Sequence, residues 1–488
     1  MLLAGGFAYK IKKPINLGFL DFSTLERRRY CCEEEIRLNC RLAPELYLDV
    51  VPITGSVAQP WLNGEGEAIE YAVRMRRFSQ SDLMSENPPD LEMIGRIASR
   101  MARFHQEIPA ADASTPFGTP EHVLHPMFDN FQQIRDAGVG EQELQRLGSL
   151  EAWTRSQAEQ LTELMRQRKQ TGHILECHGD LHLGNIATYQ GRLEIFDGIE
   201  FNPELRWIDS LSDVAFLSMD LQHRGLRQEA ALFLNDYLEQ TGDYEALPLL
   251  RFYQLYRAMV RAKVTAIRLA QSGLDEAEQQ RDQREFVAYL TLAEHYTQAP
   301  STILLLTHGL SGSGKSLLSG WLAQRLPAIR LRSDVERQRL FVQGERGKPS
   351  GELGAGIYSA QATRATYAHL RKLAARLLQA GYAVIVDATF LKAQQREPFR
   401  QLADELAVPI ILLDCQAPDA ILRTRVASRM RQGTDASEAD LRVLELQMQT
   451  REPLSETEQA WTLVVDSRQF PPAGLLERLG ARIDKPNS

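Results

Sequence analysis

Two groups of residues in this chain have types and spacings suited to handling a phosphate chain. The first is Gly309-Leu-Ser-Gly-Ser-Gly314-Lys315-Ser316, which fits G-x-x-x-x-G-K-[ST] after an apolar run and before an expected helix. Glycines there let backbone N–H groups wrap phosphate oxygens, and the helix N-terminus adds partial positive charge. Gly309, Gly312, Ser313, Gly314, Lys315 and Ser316 are therefore the expected nucleotide-binding residues. Lys315 would reach the β/γ oxygens, and the Ser316 hydroxyl would face Mg2+. Asp387 ends Ala383-Val-Ile-Val-Asp387 and would hold Mg2+ through water, or it is a turn residue closing a strand. Asp334, in Arg332-Ser-Asp-Val-Glu-Arg337, could accept the proton of an attacking hydroxyl. It could equally cap a helix over Val335–Leu340, and spacing leaves both open. Arg425 and Arg429 share one helical face, where they would clamp a transferring phosphoryl group or stand in solvent.

The second group is His178-Gly-Asp180-Leu-His-Leu-Gly-Asn185, followed after a short strand by Asp197 in Ile195-Phe-Asp-Gly-Ile-Glu-Phe201. Phosphoryl transfer needs one Asp to orient or deprotonate the acceptor, here Asp180, and an Asn and a second Asp to hold Mg2+, here Asn185 and Asp197. A metal-free turn rich in Asp and Asn is the alternative.

The elements that must position these groups can be read from periodicity. Phe7-Ala-Tyr-Lys-Ile-Lys alternates, with Lys10 and Lys12 on one face, and Pro14 ends it. Ser23 or Thr24 caps an expected helix from Leu25 towards Leu42, on which Glu35, Leu38 and Leu42 share a face. Tyr71–Phe78 reads as a strand, Ile94 to His105 as a helix, Ile174–Phe201 as strand–loop–strand, and Asp209 to about His295 as helical. Gln298-Ala-Pro-Ser is the expected junction, giving domains over 1–298 and 299–488. Beyond it, strand Thr302–Thr307, helix Leu317–Leu326 and strands Ala383–Asp387 and Pro409–Asp414 alternate with helical stretches, the pattern of a parallel sheet.

Composition is consistent with this. The 488 residues, 43% hydrophobic and 25% charged, exclude a disordered, collagen-like or disulfide-stapled chain. A net charge of −8 disfavours a nucleic-acid coat protein, though a local basic channel is allowed. No apolar run approaches the roughly 18 residues of a membrane span. The N-terminus lacks the pattern of a secretory signal, and five cysteines without metal spacing point to reduced thiols and a cytoplasmic location.

In the second half, Gly309–Ser316, Arg332–Arg337, Val386-Asp-Ala-Thr389 and the arginines around Arg425–Arg429 resemble the small P-loop kinases that include polynucleotide kinase, gluconate kinase and chloramphenicol phosphotransferase. That resemblance implies Asp334 as general base. In the first half, His178-Gly-Asp180 to Asp197 resembles the aminoglycoside phosphotransferase branch of the protein-kinase-like fold. There Lys10 would contact the α/β phosphates and Glu35 would be its helix partner, with Lys12 and Glu34 as the alternatives. Asp209 and Asp213 would anchor the catalytic loop. Only nine residues precede Lys10, so the first strand and most of the Gly-rich roof of such a lobe are expected to be missing. The whole chain is similar to a two-module bacterial family, α+β followed by α/β: a truncated phosphotransferase-like domain, then a P-loop domain.

The expectation is an ATP- and Mg2+-dependent phosphotransferase acting on a hydroxyl of a small molecule, with its oligomeric state unassigned. Three rivals stand beside it. The P-loop part could be an ATPase switch, the first part a binding-only pseudokinase, or the protein a nucleic-acid end kinase with Arg330, Arg332, Arg337 and Arg339, near the proposed base Asp334, along the backbone groove.

Overall fold

The computed structural model describes residues 1–16, 20–298, 302–343, 359–432 and 440–483. The chain forms two compact units, one of Met1–Tyr237 with Pro248–Gln298, the other of Leu238–Leu247 with Ala299–Ser488. Ala299, Pro300 and Ser301 of the expected junction lie outside the described residues.

The first unit opens with a five-stranded antiparallel sheet in the order Leu2–Ala4, Phe7–Ile11, Ala68–Arg76, Tyr47–Ser56, Gln59–Leu62. The expectation of a missing first strand is thereby corrected. Leu2–Ala4 pairs with Phe7–Ile11 through Gly5-Gly6, and Gly5 adopts φ 58°, which a two-residue hairpin favours. The strand is three residues long, and the roof is reduced to that turn.

Helix Leu25–Asn39 packs on this sheet. Thr24 caps it by accepting from Arg27 N. It stops three residues before the expected Leu42, in a turn that runs into Pro44, a residue that disfavours helical backbone just before it. Its inward face carries Arg28, Cys31, Cys32, Glu35, Leu38 and Asn39, the helical period with a carboxylate in its middle. Cys32 packs into a cluster with Ala8, Leu46, Tyr47, Val73 and Met75.

The rest of this unit is mostly helical. Helix Ser210–His223 is buried along almost its whole length, and Phe216 and Met219 pack into a core shared with helices Pro120–Asp136, Glu141–Gln170, Leu250–Leu269 and Glu276–Thr297. Two small antiparallel pairs stand beside it, Ile174–Glu176 with Trp207–Asp209 and Ile186–Tyr189 with Arg192–Ile195.

The second unit is a P-loop fold: a parallel five-stranded sheet in the order Ile329–Arg332, Val384–Asp387, Leu304–His308, Ile410–Gln416, Thr462–Asp466. The first strand in sequence is central, and its buried Leu304, Leu305 and Leu306 read as a continuous apolar run because helices cover both faces. The fifth strand, Thr462–Asp466, falls beyond the elements read from the sequence. Among the described residues no helix is long and apolar enough to cross a membrane.

Leu305 sits fully buried in the cluster that joins helices Lys315–Arg325 and Leu475–Ile483 to the sheet. Leu305→Ala is expected to cost about 2–5 kcal/mol in denaturant unfolding, and a loss under about 1 kcal/mol contradicts this packing.

Candidate nucleotide sites

In the second unit the sheet delivers the Gly-rich loop from the end of strand Leu304–His308. Gly309, Gly312 and Gly314 take φ of 133°, 81° and 83°, a region that side chains rarely adopt. Space also demands glycine. A Cβ at Gly309 would lie 2.6 Å from the Cys415 carbonyl oxygen, and one at Gly312 would lie 2.8 Å from that of Leu422. The loop then becomes helix Lys315–Arg325, whose N-cap is Gly314, a residue with no side chain to bond the first-turn N–H groups. Those donors are left for an anion.

Lys315 is buried and donates to the Leu310 carbonyl at 2.8 Å. Burial lowers its pKa, against the pull of Asp387 and Asp334, while Arg429 adds to the lowering. Asp387, Asp334 and Arg429, three of the residues singled out in the sequence, thus all lie within electrostatic reach of this one ammonium. Asp387 closes strand Val384–Asp387, accepts from Ser319 Oγ at 2.9 Å, and lies 3.9 Å from Arg332 Nε. Ser316 is exposed at the start of the helix. A hydroxyl and a carboxylate are oxygen donors that suit Mg2+. Asp334 is half-buried in the first turn of helix Ser333–Gln338 and takes a 3.4 Å contact from Arg337. It is not the N-cap, a place held by Arg332.

Arg425 gives its guanidinium to Ser467 O at 2.7 Å, Ser467 Oγ at 3.2 Å and Gly312 O at 3.4 Å. It lines a cavity of about 160 Å3 beside Gly314, walled by Leu317, Ser467, Phe470 and Pro472. Sequence reasoning missed this wall because it follows the fifth strand, which was not read. The four arginines proposed for a nucleic-acid groove are engaged within the same unit: Arg330 and Arg332 with Glu239, Arg337 with Asp334, Arg339 with Glu336.

In the first unit one fully buried carboxylate organises the loop. Asp213 accepts from His178 N and Gly179 N, both at 2.8 Å, and from His105 Nε2 at 3.4 Å. Burial alone would raise its pKa, but His105 and His178 hold it below the usual value. Cys177 is close to His105 and Asp213, yet Asp213 has committed its oxygens to the loop. Asp209 caps helix Ser210–His223 and takes both ends of the Arg168 guanidinium. Within the loop so fixed, Asn185 Nδ2 donates to Asp180 Oδ2 at 3.0 Å and to the Asp180 carbonyl at 2.9 Å. His182 lies 3.4 Å from the same carboxylate and, against the effect of burial, helps depress its pKa.

Asp197 follows strand Arg192–Ile195 in a left-handed conformation, φ 63°. Its amide donates to Tyr47 OH at 3.1 Å, and Gly198 N donates to Asn39 Oδ1 at 2.7 Å. Its carboxylate contacts Lys10 Nζ. Lys10 also reaches Glu35 Oε1 at 2.9 Å, and Lys12 takes Glu35 Oε2. Glu34 instead pairs with Arg37 and Arg206. Burial opposes the Lys10 charge, but Asp197, Glu35 and Glu200 outweigh it and raise the pKa well above its ordinary value. The structure therefore brings Lys10, Glu35 and Asp197 into one cluster and Asp180 and Asn185 into another, adjacent along the same loop system. Asn39 and Tyr47 escaped the sequence reading; Asn39, one helical turn after Glu35, shared the face that pointed to it.

Residues 304–454 match the family described as an AAA domain. Solved structures similar to the chain include a sugar kinase from Janibacter sp. HTCC2649 (22% identity, 38% of this chain and 95% of that one, TM-score 0.28) and a gluconokinase from Sinorhizobium meliloti 1021 (19%, 38% and 91%, TM-score 0.26). Over 444 residues, 90% of this chain, the sequence is 31% identical to the uncharacterized protein Rv2004c of Mycobacterium tuberculosis (strain ATCC 25618 / H37Rv) and to Mb2027c of Mycobacterium bovis (strain ATCC BAA-935 / AF2122/97), spanning 86% of each. The chain belongs to the family of these mycobacterial proteins, and its second unit is a P-loop domain.

Proposed function

We propose that the protein is an ATP- and Mg2+-dependent phosphotransferase with two nucleotide sites, moving a γ-phosphoryl group to a hydroxyl of a small molecule. The supporting observation is the loop itself: glycines at φ 133°, 81° and 83° that no larger residue can replace, a buried Lys315 held to the Leu310 carbonyl, and a helix whose first turn has no side-chain cap. In this reading the loop amides and Lys315 bind the phosphates. The apolar wall at Leu317 and Phe470 takes the nucleoside, Arg425 fixes that wall through Ser467, and Arg429 meets the transferring group. Ser316 and Asp387 would hold Mg2+, which when bound neutralises charge on the phosphoryl oxygens. Asp334 accepts the acceptor's proton.

The first unit supports a second site of the protein-kinase-like, aminoglycoside phosphotransferase-like kind. Lys10, oriented by Glu35, would meet phosphates, Asn185 and Asp197 offer the oxygen donors for Mg2+, and Asp180 would act on an acceptor. The short Leu2–Ala4 strand and two-residue glycine turn favour a second reading for this unit, ligand binding without transfer. The engagement of Arg330, Arg332, Arg337 and Arg339 by carboxylates argues against a nucleic-acid groove.

With γ-labelled ATP and a small-molecule extract, Lys315→Ala is expected to lower transfer about 100-fold. Asp334→Asn is expected to keep nucleotide binding and lose transfer by about 100-fold. Transfer that survives both variants but not Asp180→Asn moves the chemistry to the first unit, and release of free phosphate alone overturns the acceptor reading. The depressed pKa of Lys315 gives a pH test. Nucleotide affinity of the second unit should fall as pH rises, beginning below the ordinary lysine value of 10.5. Lys315→Arg, which stays charged, should remove that fall. An equal alkaline loss in both proteins contradicts a phosphate role for Lys315.

A further inference from the structure

We infer that Lys12 and Glu200 form a buried latch that holds Glu35 and the loop after Asp197 in place, so that Lys10 can leave Asp197 for a phosphate. The inference rests on the reading of the first unit as a nucleotide site. Glu35 has no exposure and is gripped by two ammonium groups through different oxygens, Oε1 by Lys10 and Oε2 by Lys12. Lys12 goes on to Glu200 Oε1, and Glu200 lies three residues after Asp197. Residues 188 positions apart are thus tied by one charge. Lys12 is 4% exposed and Glu200 5%, so water does not compete for the pair.

The surroundings exclude solvent further. Lys12 Nζ sits 5.3 Å from the Phe22 ring, and Phe22 meets Phe201 edge-on at 6.5 Å. Arg206 donates to the Glu200 carbonyl at 3.0 Å and pairs with Glu34 and Glu176, fixing the loop backbone from the other side.

The two lysines differ in what they are free to do. The Lys10 side chain is 26% exposed and its partners are Glu35 and Asp197, the second of which would itself turn to a metal ion. A lysine that leaves a buried glutamate exposes that glutamate to the penalty of an unpaired buried charge. Lys12 removes the penalty, because Glu35 keeps one ammonium whether or not Lys10 stays. It also balances the cluster: Glu35, Asp197 and Glu200 carry three negative charges against two lysines, and without Lys12 all three would fall on Lys10. Lys12 and Glu200 are positioning residues, acting on the phosphate and metal groups through Glu35 and the Asp197 loop.

The test uses the full chain carrying Lys315→Ala, which silences the second unit's loop, and titrates ADP calorimetrically over a series of Mg2+ concentrations. Glu200→Gln should raise the Mg2+ concentration for half-maximal ADP affinity about tenfold or more, while metal-free ADP affinity stays at the parental value. Lys12→Met should weaken ADP binding with and without Mg2+, since it also loosens Glu35. The double variant Lys12→Met/Glu200→Gln leaves no unpaired charge at the latch and keeps the test readable if a single variant unfolds; the same raised midpoint is expected. A parent that binds no ADP overturns the nucleotide reading of the first unit and this inference with it. A parent that binds ADP, with variants whose Mg2+ midpoint is parental, overturns the latch alone. A lowered melting temperature with a parental midpoint marks a packing role only and overturns it as well.

Discussion

Asp213 is a carboxylate with no exposure, and two consecutive backbone N–H groups, those of His178 and Gly179, end on it. Left unpaired, each buried donor would cost about 1–3 kcal/mol, and the carboxylate more. The loop can therefore take this course only while helix Ser210–His223 presents Asp213 beneath it. The same helix adds Asp220, which accepts from Leu183 N at 2.8 Å, and Arg257 holds the Gly179 carbonyl at 2.9 Å. Asp180 and Asn185 inherit their positions from these contacts. Asp180, half-buried, and Asn185, buried, stand on a loop whose backbone is pinned from inside the helical core.

The second unit solves the equivalent problem without carboxylates. Close approach replaces them: the Cys415 and Leu422 carbonyls leave no room for a Cβ at Gly309 and Gly312. The parallel sheet supplies the platform, and the loop's shape is set by backbone packing against the strand Ile410–Gln416 and the helix Asp419–Gln432. Ser311 N is taken up by Gln447 Oε1 at 2.8 Å, which ties the loop to helix Leu441–Thr450 as well. Both units thus fix the course of a loop from buried supports, one by electrostatics and the other by sterics.

Much of this was legible before the structure. The loop Gly309–Ser316 could be read because its chemistry needs contiguous residues, and a strand-loop-helix context is local. The spacing of Asp180 and Asn185 was legible for the same reason. What could not be read depends on closure in space. Periodicity put Lys10 and Lys12 on one face of a strand but could not say which meets Asp197, because both meet Glu35. Glu200 gave no signal, since its partner is far away in sequence. Leu2–Ala4 is too short a strand to show a period, and its mark in the sequence is the Gly5-Gly6 turn. Periodicity carries helix Leu25–Asn39 on towards Leu42 because buried Leu42 continues its apolar period after the backbone has turned. Phe470 and Pro472 were lost with the fifth strand, whose Thr462-Leu-Val-Val-Asp466 resembles any half-buried edge.

The central claim is that each unit holds its own nucleotide. Calorimetric titration of the full chain with a non-hydrolysable ATP analogue and Mg2+ tests it most directly, run beside Lys315→Ala and Asp197→Ala. The account predicts two nucleotides per chain for the parent and one for each variant. One nucleotide for the parent, lost in Lys315→Ala and untouched in Asp197→Ala, would contradict it.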